Sequence, residues 1–432
     1  MKKNLTKLMA LGLVVVMGAT AAVGCGSKDG DGGSKTKDGK TKLTMALWDE
    51  TQQKVMQKMI DKYEEENPNV TVETQLSTWS EYWTKLEASA TGNDACDIMW
   101  MNILHVEEYV EAGILKDLSK VGENLDMETN FPAALADGYT IDGKLYAIPK
   151  DFDTNGLFYN KELFDKAGLA YPTDDWTMED FWAACEALDA ADLGEGVYPT
   201  AVNYNSGQTN FNATIIANGG YVYNDDYTAT GYSDPKTVEG ITIWSDLVKE
   251  GYSPTLQQMT DTTPDAMFEA GKIAMYMSGN YMIAEYEQNE NIAGKYDIVS
   301  RPSFNGKKTD IINGLGYAVY EGTKNEEEAL KFVEWLGGKE AMDIQGSAGS
   351  VISARNESQE LYLETRPELN LQVFLANLEE THVLPHCKAT SEIGTVTGEY
   401  MQKVWSGEMT MEDAGKKIDE ETKPILEKMN SK

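Results

Sequence analysis

Few reactive side chains in this sequence stand at a spacing that commits them to a reaction. The first candidates are its 71 acids and three histidines, His105, His382 and His386. Glycoside hydrolysis needs two carboxylates about 5 to 9.5 Å apart. Among 71 acids close pairs occur everywhere in the chain, so none is singled out. His382 and His386 are four residues apart, but Pro385 between them argues against one helical metal face. No nucleophile elbow or Ser/His/Asp order is present. Gly33 to Gly39-Lys40-Thr41 has five residues between the glycines where a phosphate loop has four, and no apolar strand precedes it. Catalysis, a bound metal and a cofactor are therefore not expected. What remains is chemistry suited to holding a molecule: Trp48-Asp49-Glu50 and Met101-Asn102 set polar groups beside large apolar side chains.

Those two clusters close predicted strands. Leu43-Thr44-Met45-Ala46-Leu47-Trp48 reads as a strand, and Val55, Met56, Met59, Ile60 and Tyr63 then line one face of a helix that Asn67-Pro68 stops. Val70, Val72, Thr74 and Leu76 alternate as a second strand, and a helix follows around Tyr82 to Ala90. Next come the apolar strand Asp97 to Asn102 and a helix from His105 to Glu111 ended by Gly113. Such alternation predicts an α/β fold with a parallel sheet covered on both faces. Ligands of such sheets bind beyond the carboxyl ends of strands, here at Trp48 to Glu50 and Met101-Asn102. Tyr139 to Pro149 reads as a hairpin around Asp142-Gly143, after which a second unit begins. It carries helices at Met178 to Ala191, Phe211 to Asn218, Thr237 to Lys249 and Ala266 to Ala270, and a strand at Lys272 to Met277.

A formal charge of −34 excludes a nucleic-acid partner, because phosphate backbones demand a basic surface. With 41% hydrophobic residues, 9 Trp and 22 Tyr the chain has ample material for a core, so its acidity is a charged skin and not a sign of disorder. Its length exceeds one hydrophobic core and predicts two domains. At the N-terminus Lys2, Lys3 and Lys7 precede an apolar run from Leu8 to Met17 and then Ala22-Val23-Gly24-Cys25. That run is too short to span a bilayer and reads as a cleaved signal over 1–24. Ala22 to Cys25 resembles the bacterial lipobox, whose cysteine is acylated, so Cys25 is expected to carry a lipid anchor outside the cytoplasm. Residues 25–41 contain no apolar stretch to bury and read as a tether. About 16 such residues reach roughly 20 to 24 Å. Cys96, Cys185 and Cys387 remain, an odd number that allows at most one disulfide.

Several segments resemble, in order, the extracellular solute-binding proteins of carbohydrate ABC importers, the maltose-binding-protein-like family 1. They are Asp97 to Leu118, Gly156 to Leu169 with Trp176 to Phe181, Met267 to Met275 with Ser278 to Tyr281, Gly314 to Val319 with Asn325 to Leu336, and Val404 to Ala414. The resemblance implies a two-lobe, type II-like periplasmic-binding-protein fold with a hinge between the lobes. One lobe would comprise residues 42–152 and 310–350, the other 153–309 and 351–432. It further implies a monomer without a cofactor that captures a mono- or oligosaccharide and delivers it to ABC permease subunits.

A sugar ring presents apolar C–H faces and a rim of hydroxyls, so its site needs aromatic planes together with Asp and Asn. Carried over by position, the expected ligand-binding residues are Trp48, Asp49, Glu50, Trp79, Met101, Asn102, Asp153, Asn203, Gln208, Asn210, Tyr281, Gly314 and Gly316. The glycines are read as backbone devices near hinge and groove. The alternative is the same scaffold tuned to a peptide, polyamine or metal chelate, and the remote one a secreted glycosidase.

Overall fold

The computed structural model describes residues 35, 36, 39–376 and 378–431. The signal, Cys25 and most of the expected tether lie outside them. Among the described residues thirteen strands occur in chain order: β1 (Thr41–Leu47), β2 (Val70–Leu76), β3 (Ile98–Asn102), β4 (Thr140–Ile141), β5 (Lys144–Leu145), β6 (Ile148–Asp153), β7 (Asn155–Asn160), β8 (Tyr198–Ala201), β9 (Ile273–Gly279), β10 (Tyr296–Ser300), β11 (Asp310–Val319), β12 (Ile352–Ser353) and β13 (Thr381–Val383). They form two large sheets. The first runs β12-β6-β11-β3-β1-β2 with β13 beside β11, the second β10-β7-β9-β8, and β4 and β5 make the expected hairpin. Asp142 and Gly143 in its turn adopt positive φ of 52° and 76°. That is the two-residue turn that Asp-Gly favours.

The first sheet is mixed, not all parallel. β1 pairs in parallel with β2 and β3, as crossover helices demand, but β11 runs antiparallel to both β3 and β6. The reason is topological: β11 enters from the second sheet, from the opposite direction to the local βαβ units. Two crossings join the sheets within a few residues of one another. β6 ends at Asp153 and β7 begins at Asn155, while β10 ends at Ser300 and β11 begins at Asp310. Thr154 is gripped on both sides, its amide donating to Asn280 Oδ1 at 3.0 Å and its hydroxyl to the Phe374 carbonyl at 2.8 Å. Ile352 and Ser353 pair with β6, so the chain is still in the first sheet beyond residue 350.

Burial follows the periodicities. Leu43, Met45 and Leu47 alternate with half-buried neighbours, and Val55, Met56, Met59, Ile60 and Tyr63 are the buried face of Glu50–Glu66. β7 is buried on both faces. Leu157 and Tyr159 pack with Phe164, Phe181, Trp244 and Trp405, whereas Phe158 faces Phe268, Tyr286 and Tyr296 in a cluster continuous with the first lobe. Each large apolar side chain so removed from water contributes about 1.5–3 kcal/mol. Helix Trp79–Thr91 starts three residues earlier than its apolar pattern indicates, because Thr78 caps it through the Glu81 amide at 3.4 Å. Its first residue, Trp79, is thereby set at the edge of the lobe. Cys96, Cys185 and Cys387 are free and buried.

Candidate functional site

The end of β1 delivers Trp48 into an aromatic cluster. Its ring meets Tyr82 at 4.8 Å, Trp79 at 5.0 Å, Trp100 at 5.3 Å and Trp83 at 5.7 Å. His105 lies 4.0 Å from Trp83. Trp100 is fully buried and Trp79 is 44% exposed, so the cluster runs from the core to an open indole face. On the second lobe Gly279 ends β9. A Cβ there would lie 2.1 Å from the Tyr281 ring, so only glycine lets that ring fold back. Tyr281 is 38% exposed. Yet burial, then the charges of Asp153 and Asp265, push its hydroxyl well above the phenol range. Part of its ring is thus open to solvent while its hydroxyl is surrounded by protein. Burial and then Glu269 raise the Glu285 carboxyl, with a lesser contribution from Asp49.

Asp153 lies at the first crossing, 7% exposed. Gln208 Nε2 donates to one of its oxygens and Asn313 Nδ2 to the other at 3.4 Å. Burial raises its carboxyl to about 8, with Asp151 and Asp310 adding to the rise and the Gln208 and Asn313 bonds opposing it. Asn313 Oδ1, Asn210 Oδ1 and Ser278 Oγ are buried without a protein partner. Buried polar atoms are seldom left so, and an ordered water or another polar group would satisfy them. Behind this floor Lys150 donates to Gln52 and pairs with Asp151, with Nζ 4.4 Å from the Trp100 ring.

Of the expected residues the structure brings Trp48 and Trp79 together in the aromatic cluster and, separately, Asp153 and Gln208 at the first crossing, with Tyr281 just after β9 and half-buried Asn203 on the loop that carries Gln208. The other expected residues have different duties. Asp49 caps helix Glu50–Glu66, its two oxygens taking the Gln52 amide and Nε2, each at 2.9 Å. Glu50 is exposed and pairs with Lys54 at 3.7 Å. Met101 is fully buried. Asn102 is 3% exposed and accepts from the Leu104 amide at 2.9 Å. Asn210 donates to the Asn203 carbonyl at 2.7 Å. Gly314 and Gly316 permit close packing: a Cβ would come within 2.7 Å of Leu135 and 2.8 Å of Ala147 respectively. Sequence reasoning missed Gln52, Lys150, Asp151, Asn313 and Arg301. Only Arg301 left a signal, as one of three arginines in the chain and set at the end of an apolar strand.

At the rim the lobes also touch. Glu108 accepts from the Ser391 amide at 2.9 Å and its hydroxyl at 3.0 Å, and Lys388 stands 3.6 Å from Glu111. A cavity of about 600 Å³ opens there between Trp83, His105 and Tyr109 on one side and Lys388, Ser391 and Met429 on the other. It adjoins the aromatic wall, whereas the polar floor is at Asp153.

The profile of bacterial extracellular solute-binding proteins matches residues 58–368. A putative binding protein of Brucella abortus (strain 2308) is 22% identical over 400 residues, 89% of this chain and 94% of that one. Maltodextrin-binding protein MdxE of Bacillus subtilis (strain 168) is 25% identical over 339 residues, 76% of each. Among solved structures, the ABC substrate-binding protein Lmo0181 from Listeria monocytogenes in complex with cycloalternan superposes with a TM-score of 0.79 at 28% identity, covering 89% of this chain and 99% of that one. With two sheets joined by paired crossings and a cleft between them, and with a profile match over most of its length, the chain belongs to the bacterial extracellular solute-binding proteins.

Proposed function

We propose that this protein captures a carbohydrate between its two lobes and delivers it to the permease subunits of an ABC importer, without acting on it chemically. The observation that carries the reading is that the two lobes offer exposed aromatic rings, Trp79 and Tyr281, while Gln208 and Asn313 gather hydrogen-bonding groups on Asp153 at the crossing. Indole and phenol planes suit the C–H faces of a sugar, and the floor suits its hydroxyls. The relatives support this: their names include maltodextrin-, diacetylchitobiose- and galactooligosaccharide-binding proteins. The N-terminal pattern supports a mature chain that begins at an acylated Cys25 and works as a tethered monomer at the membrane surface. The lobes would divide near the two crossings, at residues 153–155 and 300–310, with the C-terminal helices on the second.

Thermal unfolding of the chain from residue 35 onward tests this against maltose, maltotriose, cycloalternan, diacetylchitobiose and galacto-oligosaccharides, with oligopeptides and polyamines as controls. Saturation at 100 times the dissociation constant adds about 2.7 kcal/mol to stability and moves the midpoint by a few degrees. A shift with one sugar class identifies the solute. A shift only with peptides or polyamines, or with none of the sugars, overturns the carbohydrate reading.

A further inference from the structure

Arg301, directly after β10, is 6% exposed, and its guanidinium is fully engaged inside the protein. Nη2 donates to the carbonyls of Gln208 at 3.1 Å and Thr209 at 2.7 Å, Nη1 to that of Asn210 at 3.2 Å, and Nε to the Asp310 carboxylate at 3.2 Å. Three successive carbonyl dipoles turned onto one point repel one another unless a cation collects them. The rigid fork of arginine does so with separate N–H groups, which a point-charge ammonium cannot reproduce.

Both ends of this clamp lead to functional geometry. On one side Gln208 reaches Asp153 on the cleft floor, and Asn210 closes the loop onto Asn203. On the other, Asp310 accepts from the Asn155 amide at 2.7 Å and Asn155 Nδ2 at 2.9 Å, immediately beyond the first crossing. The loop of residues 203–210 is therefore tied to the interlobe crossings as well as to the body of the second lobe.

We propose that Arg301 is a positioning residue of the solute site: it fixes the 203–210 loop to the crossings, so that Gln208 meets the solute from a floor that stays in place while the lobes move. This rests on the solute-capture reading of the cleft, but its first test does not. In the chain without solute, hydrogen exchange of the amides from Gln208 to Asn212 accelerates at least about tenfold in Arg301→Lys, while the β7 and β9 amides keep their rates. Arg301→Gln made together with Asp310→Asn, so that no carboxylate is left buried without its cation, serves if the lysine variant does not fold. Unchanged loop exchange in a folded variant overturns the clamp, whatever the solute proves to be.

The second test uses the sugar with the largest shift in the panel above. Arg301→Lys weakens its binding about tenfold or more, and in a Gln208→Ala background the same change adds less than about threefold, because the arginine acts through Gln208. Additive losses, or unaltered affinity, overturn the positioning role. A panel without response refutes the carbohydrate reading and leaves the exchange result to decide the clamp.

Discussion

Of the residues proposed to hold the solute, Tyr281 and Asp153 each make a separate prediction. Tyr281 keeps an open face, so Tyr281→Ala should weaken solute binding by roughly 2–4 kcal/mol and cost less in stability than in affinity. Isothermal titration beside thermal unfolding separates the two. Trp48→Ala should cost both affinity and stability, because that ring also packs edge-on against Trp100 and Tyr82. Asp153 binds its proton up to about pH 8 in the folded chain, against a value near 3.8 when unfolded. Between those values the native state holds the extra proton, so its stabilising effect is complete at low pH and is lost as pH rises through about 8. The stability difference between wild type and Asp153→Asn should therefore change by at least about 1 kcal/mol from pH 5 to 8, to the disadvantage of the wild type. Parallel unfolding curves across that range would show that the carboxyl is ordinary.

Among the elements, helix Thr390–Trp405 is unusual in taking its cap from the other lobe. Ala389 at its N-cap offers no side-chain acceptor, and Glu108 supplies one through the Ser391 amide. Burial would raise the Glu108 carboxyl, but the bonds from His105 and Ser391 outweigh it and hold it below the usual range. The cap therefore persists into mild acid and is lost only as pH falls through that lowered value. Glu108→Ala should cost about 0.5–2 kcal/mol, as loss of a cap does, and faster exchange should begin at the start of that helix. A variant that unfolds like wild type would mean that water replaces the carboxylate at no cost. Elsewhere the elements keep close to their patterns: Asn67-Pro68 stops the first helix and Thr177 opens Met178–Ala190 with a capping box.

At the scale of the whole molecule, two lobes joined at nearly coincident crossings make a hinge, and the proposed capture of a solute would close them about it. The chain belongs to an extracellular family and works outside the cytoplasm. If Cys25 anchors it, Cys25→Ser should release the protein from cell membranes into the soluble extracytoplasmic fraction with its solute affinity unchanged. Fractionation with immunoblotting reads the first outcome and titration the second. Persistent membrane association would refute acylation at that residue.

The sequence by itself determined the features that rest on short-range physics. Period-two and period-3.6 patterns located β1, β2, β3 and the helices between them, Asp142-Gly143 specified its hairpin, and the acidic composition excluded nucleic acid. Five ordered motif resemblances reached the family and the two-lobe fold. Only the tertiary structure decided which polar residues face the cleft, because that depends on partners far away in the chain. Asp49 and Asp153 read alike as acids near strand ends, yet one is consumed by Gln52 three residues on and the other is held by Gln208 and Asn313. Met101, next to last in β3, is fully buried in the first lobe's core, whereas Trp48, just past the end of β1, is only partly buried. Arg301 shows the same limit, since its four acceptors are residues 208, 209, 210 and 310, which only the crossings assemble around one guanidinium.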